Sequence, residues 1–144
     1  MTLWSTIHRE VEENPVPDPC VTVSVHGPDP LARAGVVRHL DQQPSVELTR
    51  PTGTVAVMLS ERLDARAGAE LRRLVRGGRQ RVVLVAGELR ETELLTVMEY
   101  GVRAVLWQHR TTPRRLLRAV HRAARAERGE PCGVDRRLTD LFPR

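Results

Sequence analysis

Two short runs of consecutive apolar residues, 55–59 and 82–85, constrain the fold of this chain most strongly. Runs of this length and composition are typical of parallel strands that are buried on both faces of a sheet. Segments with helical spacing of apolar residues follow both runs, and further strands are expected at residues 21–25, 46–49 and 102–107. Strands that alternate with helices over short connections predict an α/β fold with a doubly wound, parallel, five-stranded sheet.

Composition limits the class of protein. The chain has 144 residues, of which 40% are hydrophobic and 28% are charged, as expected of a one-domain globular protein. No apolar run approaches the ~18 residues of a membrane span, so no membrane partner is expected. The two cysteines, Cys20 and Cys132, lack metal-ligand spacing and favour a reducing, cytoplasmic location. The chain contains no lysine, which excludes Schiff-base chemistry.

An N-terminal segment precedes the first strand. In residues 1–19, Leu3, Trp4, Ile7 and Val11 recur at helical spacing and predict an extra N-terminal helix, which a Pro-rich connector follows. In doubly wound sheets, ligands bind outside the carboxyl ends of the strands. The candidate functional residues are therefore those that directly follow each strand.

Three segments resemble receiver domains of the NarL/FixJ (LuxR-type) response regulators. PLARAG at residues 30–35 resembles the start of the first receiver helix, GVRAVLW at 101–107 resembles strand five, and TPRRLLRAV at 112–120 resembles the start of the last helix. The resemblance covers residues 20–128 and implies the receiver/flavodoxin-like fold. Residues 129–144 resemble the linker helix that leads to a DNA-binding helix-turn-helix.

A working receiver transfers a phosphoryl group to an aspartate, using Mg²⁺ on an acidic pair and a lysine that offsets the developing charge. The resemblance places the acidic pair at Gly27 and Pro28, and the acceptor at Leu59 or, with a shift of one residue, at Ser60. It places the hydroxyl that contacts the phosphate at Ala86 and the lysine at Gln108. None of these side chains is charged. We therefore expect a phosphorylation-independent pseudo-receiver that is not an enzyme and needs no metal or other cofactor. At the carboxyl ends of the strands, no carboxylate is expected to be available for a divalent ion.

The altered pocket has two interpretations. In the first, its own apolar side chains fill it and the domain is a constitutive dimerisation module, which a bulky leucine at the acceptor position favours. In the second, it binds a small hydrophobic effector in place of phosphate. The contacts expected for such an effector are His26, Pro28, Leu59, Ala86, Trp107 and His109.

The second receiver helix is expected to be shortened or missing. Only residues 50–53 separate the second and third strands, whereas parallel strands normally need a dozen or more residues to cross over. The second strand is therefore expected to be distorted, displaced or reversed. Apolar sheet surface would then be exposed, and the N-terminal helix is the candidate to cover it.

The resemblance implies a regulatory function. The chain is expected to be the N-terminal part of an orphan transcription regulator that forms a homodimer and controls a specific pathway, such as secondary metabolism (antibiotic biosynthesis) or development. DNA would be bound only through a helix-turn-helix that these residues do not include. The alternatives are a stand-alone protein-interaction module and a receiver-like domain that binds a small-molecule effector.

Overall fold

The computed structural model describes residues 20–50, 52–76, 80–125 and 133–134. In chain order the elements are β1 (Val21–His26), α1 (Pro30–Asp41), β2 (Val46–Leu48), β3 (Val55–Ser60), α2 (Ala65–Val75), β4 (Arg81–Ala86), α3 (Glu91–Tyr100), β5 (Ala104–Trp107), a 3-10 turn (Gln108–Arg110), α4 (Pro113–Arg125) and β6 (Gly133–Val134). The predicted N-terminal helix lies outside the described residues. Of residues 129–144, predicted as a linker helix, only Gly133–Val134 are described, and they form a strand.

The strands form one parallel sheet in the order β2-β1-β3-β4-β5-β6. Five of these strands and the four helices between and after them confirm the predicted doubly wound α/β fold. The two-residue strand β6, which pairs with β5 through Ala104 and Gly133, is a feature that the sequence analysis did not predict.

Local sequence signals set the helix ends. Asp29 accepts a hydrogen bond from the backbone N–H of Leu31, and Pro30 is the first residue of α1. Asp64 caps α2 in the same way, by accepting from the N–H of Ala67. Helix α3 ends at Gly101, whose φ of 99° is a left-handed conformation that favours glycine.

Two hydrophobic layers enclose the sheet. On one side α2 and α3 cover β3, β4 and β5, with side chains such as Met58, Leu71 and Val97 fully buried. On the other side α1 and α4 cover the sheet through a second cluster that includes Val23 and Val120. Both faces of the central strands are therefore packed, which explains why their sequences are continuously apolar.

The second strand is parallel and lies beside β1, so the expectation that it is displaced or reversed was wrong. It has only three residues, and both its last residue, Leu48, and the first residue of β3, Val55, are level with Val23 of β1. The connection therefore only has to cross two strand spacings of about 4.8 Å each. Its six residues reach about 20 Å when extended. Among the described residues of this connection, 49–50 and 52–54, no helix is found, which agrees with the prediction of a shortened or missing helix.

The face of β1 that the missing helix would have covered is polar rather than apolar. The sequence VTVSVH alternates, so the valines face α1 and α4 while Thr22, Ser24 and His26 point to the opposite side. Thr22 accepts a hydrogen bond from the N–H of Thr54, and Ser24 donates one to Gln80. The expectation of exposed apolar sheet surface at this position was therefore wrong.

Candidate functional site

The residues that follow β1, β3, β4 and β5 meet at one edge of the sheet. His26 is level with Met58, Ser60 with Ala86, and Ala86 with Trp107. The carboxyl ends of these strands therefore bring the turn after β1, the end of β3 and the turn after β5 to one edge. This edge is where ligands bind in doubly wound sheets.

The turn after β1 leaves no room for a side chain at residue 27. Gly27 has a φ of 145°, and a Cβ atom there would lie 2.6 Å from the carbonyl oxygen of Leu59. The guanidinium of Arg33 donates a hydrogen bond to the carbonyl oxygen of Gly27. Neither Gly27 nor Pro28 offers an acidic side chain, and the nearby Asp29 is occupied as the cap of α1.

The two candidates for the acceptor position face different ways. Leu59 packs in the α1 and α4 layer with Val57 and Val85. Ser60 lines a cleft at the edge of the sheet, and its hydroxyl donates a 2.6 Å hydrogen bond to the carbonyl oxygen of Arg62. Of the two candidates, Ser60 is therefore the one that lines the cleft.

The cleft beside Ser60, here called the first cleft, contains carboxylates that the sequence analysis missed. It has a volume of about 560 Å³ and includes Glu61, Asp64 and Glu70 among its lining residues. The sequence analysis did not anticipate these carboxylates. These residues belong to the start of α2 and the loop before it, and only the fold shows how near they lie to the turn after β1.

Each of these carboxylates already has a neighbour in the fold. Asp64 caps α2, and Glu70 forms a 2.7 Å ion pair with Arg73. The Glu61 carboxyl group lies over Gly87, where a Cβ atom would come within 2.5 Å of its Cδ. Within the described ranges, no three His, Cys, Asp or Glu side chains are grouped as a metal site requires.

A second cleft, of about 630 Å³, lies beside the first. The two share Arg62 and Asp64, and the second is also lined by Leu63, Leu89, Trp107 and His109. Trp107 is 5% exposed, and its Nε1–H is buried without a hydrogen-bond partner in the part of the chain that the structure describes. The Trp107 and His109 rings are 5.7 Å apart between centroids and tilted by 44°.

The residues expected to contact an effector are not brought together in one pocket. Pro28 lines the first cleft, and Trp107 and His109 line the second. Leu59 packs in the opposite layer, and Ala86 is only 1% exposed, within the core beneath α2 and α3. Gln108, at the position of the receiver lysine, begins the 3-10 turn with an exposed side chain.

His26, the sixth of these expected contacts, belongs to a chain of polar groups beneath the first cleft. Its Nε2 shares a 2.8 Å hydrogen bond with Ser24 Oγ, which donates to Gln80 Oε1 at 3.1 Å. Its Nδ1 lies 4.0 Å from Glu70, which is itself paired with Arg73. Burial lowers the pKa of His26 below its ordinary value; Glu70 opposes the shift and the charge of Arg73 adds to it. The alternation of apolar and polar residues in β1 was the sequence signal for this row of polar groups.

Solved structures share this architecture. The chain is similar to the signal receiver domain of a candidate response regulator NarL from Mycobacterium tuberculosis, with 23% identity and a TM-score of 0.62, covering 76% of this chain and 99% of that one. The fold is that of a receiver domain. The isolated receiver domain of RcsB from Salmonella enterica serovar Typhimurium has 10% identity and a TM-score of 0.65, with 86% of this chain and 99% of that one covered.

A two-component response regulator of the LuxR family from Aurantimonas sp. SI85-9A1 is also similar, with 16% identity, a TM-score of 0.59 and coverage of 76% and 88% of the two chains. No protein-family model matches the chain, and none of the curated proteins does. Within the described ranges, no helix combines the length and the apolar character needed to cross a bilayer.

Proposed function

We propose that this receiver-like domain regulates transcription without being phosphorylated, as the dimerisation domain of a cytoplasmic DNA-binding regulator. The observation that carries the proposal is the closed space at Gly27. An acidic residue at this position would meet the backbone of Leu59, so the turn after β1 is built for a residue without a side chain. The proposal concerns this domain together with a DNA-binding part outside these residues.

The residues at the edge do not fit the Mg²⁺ ion that a phosphorylated receiver holds. Hard cations of this kind need several oxygen ligands in near-octahedral geometry. The available carboxylates cap a helix, pair with an arginine or lie over Gly87, and the acceptor position carries the Ser60 hydroxyl. A serine hydroxyl without an adjacent base is a weak nucleophile, and Gln108 supplies no positive charge.

The similar structures support the link to transcription and dimerisation. One of them, with 11% identity and a TM-score of 0.64, contains two RcsB dimers bound to two parallel DNAs; it covers 85% of this chain and 68% of that one. We propose by analogy that this chain dimerises and directs an attached helix-turn-helix to DNA that controls one pathway, such as antibiotic biosynthesis. Apolar side chains exposed on α3, Leu95 and Met98, supply a surface for dimerisation.

Phosphorylation is tested by incubating the protein with acetyl phosphate and Mg²⁺ and measuring its intact mass. We expect an unchanged mass under conditions in which a receiver with a complete acidic site gains one phosphoryl group. The Ser60→Ala variant is the matched control, since it removes the hydroxyl at the acceptor position. A phosphoryl group gained by the natural chain and lost in this variant contradicts the proposal.

The alternative of a stand-alone interaction module makes a different prediction about the gene. A reading frame that continues beyond Arg144 into a helix-turn-helix supports the regulator. A second candidate function, effector binding, is favoured by the second cleft and its unpaired indole N–H.

A further inference from the structure

We propose that the second cleft binds a small, planar, uncharged molecule whose carbonyl oxygen accepts a hydrogen bond from Trp107 Nε1–H. The inference goes beyond regulation without phosphorylation. It needs only the receiver-like fold, so it stands even if Ser60 is found to be phosphorylated.

The donor is the first observation. Trp107 is 5% exposed, and its Nε1 has no hydrogen-bond partner among the described residues. Buried N–H groups are nearly always paired in native proteins, because water that was lost on folding must be replaced by another acceptor. A hydrogen-bond acceptor on a ligand would pair with this N–H, so the buried N–H favours ligands that carry such an acceptor.

The walls of the cleft indicate an apolar molecule. Leu63 and Leu89 lie on its sides, together with the buried ring of Trp107. The volume of about 630 Å³ falls within the usual range of small-molecule sites. These features match a ligand of one or two fused rings.

The charges around the cleft indicate an uncharged ligand. Arg62 pairs with Glu88 at 3.4 Å, and Arg90 pairs with Glu93 at 3.4 Å. The cations are thus balanced by neighbouring carboxylates, so neither an anion nor a cation finds an uncompensated opposite charge in these pairs. The indole N–H is then a polar group that can orient the ligand.

Access to the indole requires a side chain to move. Nε1 itself has almost no accessible surface, whereas the neighbouring His109 is exposed and its ring lies 5.7 Å from that of Trp107. A shift of the His109 ring opens the path, and an aromatic ligand can then pack against the indole. Because His109 lines the cleft that both probes would enter, replacing it by alanine is expected to change the affinity for both.

The experiment uses the full chain labelled with ¹⁵N and follows the indole N–H resonances during titration with coumarin. Naphthalene is the matched probe, because it has the same bicyclic shape without a carbonyl acceptor. The chain has two tryptophans, and the Trp4→Phe variant assigns the signal of Trp107. We expect coumarin to move the Trp107 signal downfield and to bind about fivefold more tightly than naphthalene, as one added hydrogen bond predicts.

Two variants separate this site from others. Trp107→Phe is expected to weaken coumarin binding about fivefold and to leave naphthalene binding unchanged. His109→Ala changes an exposed residue and retains the indole, so it tests the site even if Trp107→Phe fails to fold. The proposal is overturned if coumarin does not bind, if it binds without moving the Trp107 signal, or if a folded His109→Ala protein binds both probes with unchanged affinity.

Discussion

Gly27 passes so close to β3 that a Cβ atom on it would lie 2.6 Å from the carbonyl oxygen of Leu59. The turn after β1 thus passes close to the end of the neighbouring strand β3, at the position where the resemblance implies an acidic side chain. We propose that this packing stands where a phosphorylated receiver has its metal site. The turn therefore has a structural role, and the free energy of unfolding of suitable variants measures how much it contributes.

The first prediction concerns this contact. Gly27→Ala should lower the free energy of unfolding by about 2 kcal/mol or more, since it adds a collision with backbone to an unfavourable positive φ. The measurement is urea unfolding followed by circular dichroism. Gly35→Ala is the matched control: nothing lies within 4 Å of its Cβ position in α1, so a gain of about 0.5–1 kcal/mol is expected. Equal effects of the two changes would contradict the packing seen at Gly27.

The second prediction concerns the short connection from β2 to β3. A Cβ atom on Gly53 would lie 2.8 Å from the carbonyl oxygen of Thr22, so Gly53→Ala should destabilise the protein by about 1–3 kcal/mol. Gly68→Ala in α2, where the Cβ position is open, should instead stabilise it by about 0.5–1 kcal/mol. Thermal unfolding of the two variants checks both signs. A Gly53→Ala protein as stable as the natural one would mean that the connection does not cross against Thr22.

The third prediction is a loss of stability on acidification through His26. The folded pKa of His26 lies below its ordinary value of 6.5, because burial disfavours the charged ring more than Glu70 favours it. Unfolded His26 therefore takes up a proton at a higher pH than folded His26. The contribution is fully present above pH 6.5 and is lost as the pH falls from there through the folded pKa.

The measurement compares the free energy of unfolding at pH 7.5 and pH 5.5 in the natural protein and in His26→Asn. The variant should be less stable at pH 7.5 but should lose less stability on acidification. Arg33, Arg73 and Glu70 also face His26, and all three are present in both proteins. Identical pH dependence in the two proteins would rule out His26 as the titrating group.

The fourth prediction concerns the proposed dimer. Leu95 and Met98 lie one turn apart on α3, with exposed fractions of 58% and 38%. Leu95→Glu should raise the dimer dissociation constant about tenfold or more, since it places a charge in an apolar interface. Leu31→Glu introduces the same charge at a residue of α1 that is 82% exposed, and it should leave the dimer unchanged. Sedimentation measures both; a dimer lost only in Leu31→Glu would place the interface on α1.

Several features of the fold could be predicted because they depend on neighbours along the chain. Consecutive apolar residues in β3 and β4 indicated buried parallel strands, and Asp29 before Pro30 indicated the start of α1. The short connection at residues 50–53 indicated the missing helix. The substitutions at the receiver positions could also be identified from the sequence. The alternation of β1 could have shown that its other face is polar.

The sequence by itself determined the order of the strands and helices and the absence of charged side chains at the receiver positions, because these follow from local patterns. Only the tertiary structure decided that Ser60 rather than Leu59 lines the first cleft, because the register of β3 against β1 and β4 sets which side chain faces outward. It also decided that Glu61, Asp64 and Glu70 gather there and that the Trp107 N–H lacks a partner. Such relations depend on residues that are distant along the chain and meet only when the sheet has formed.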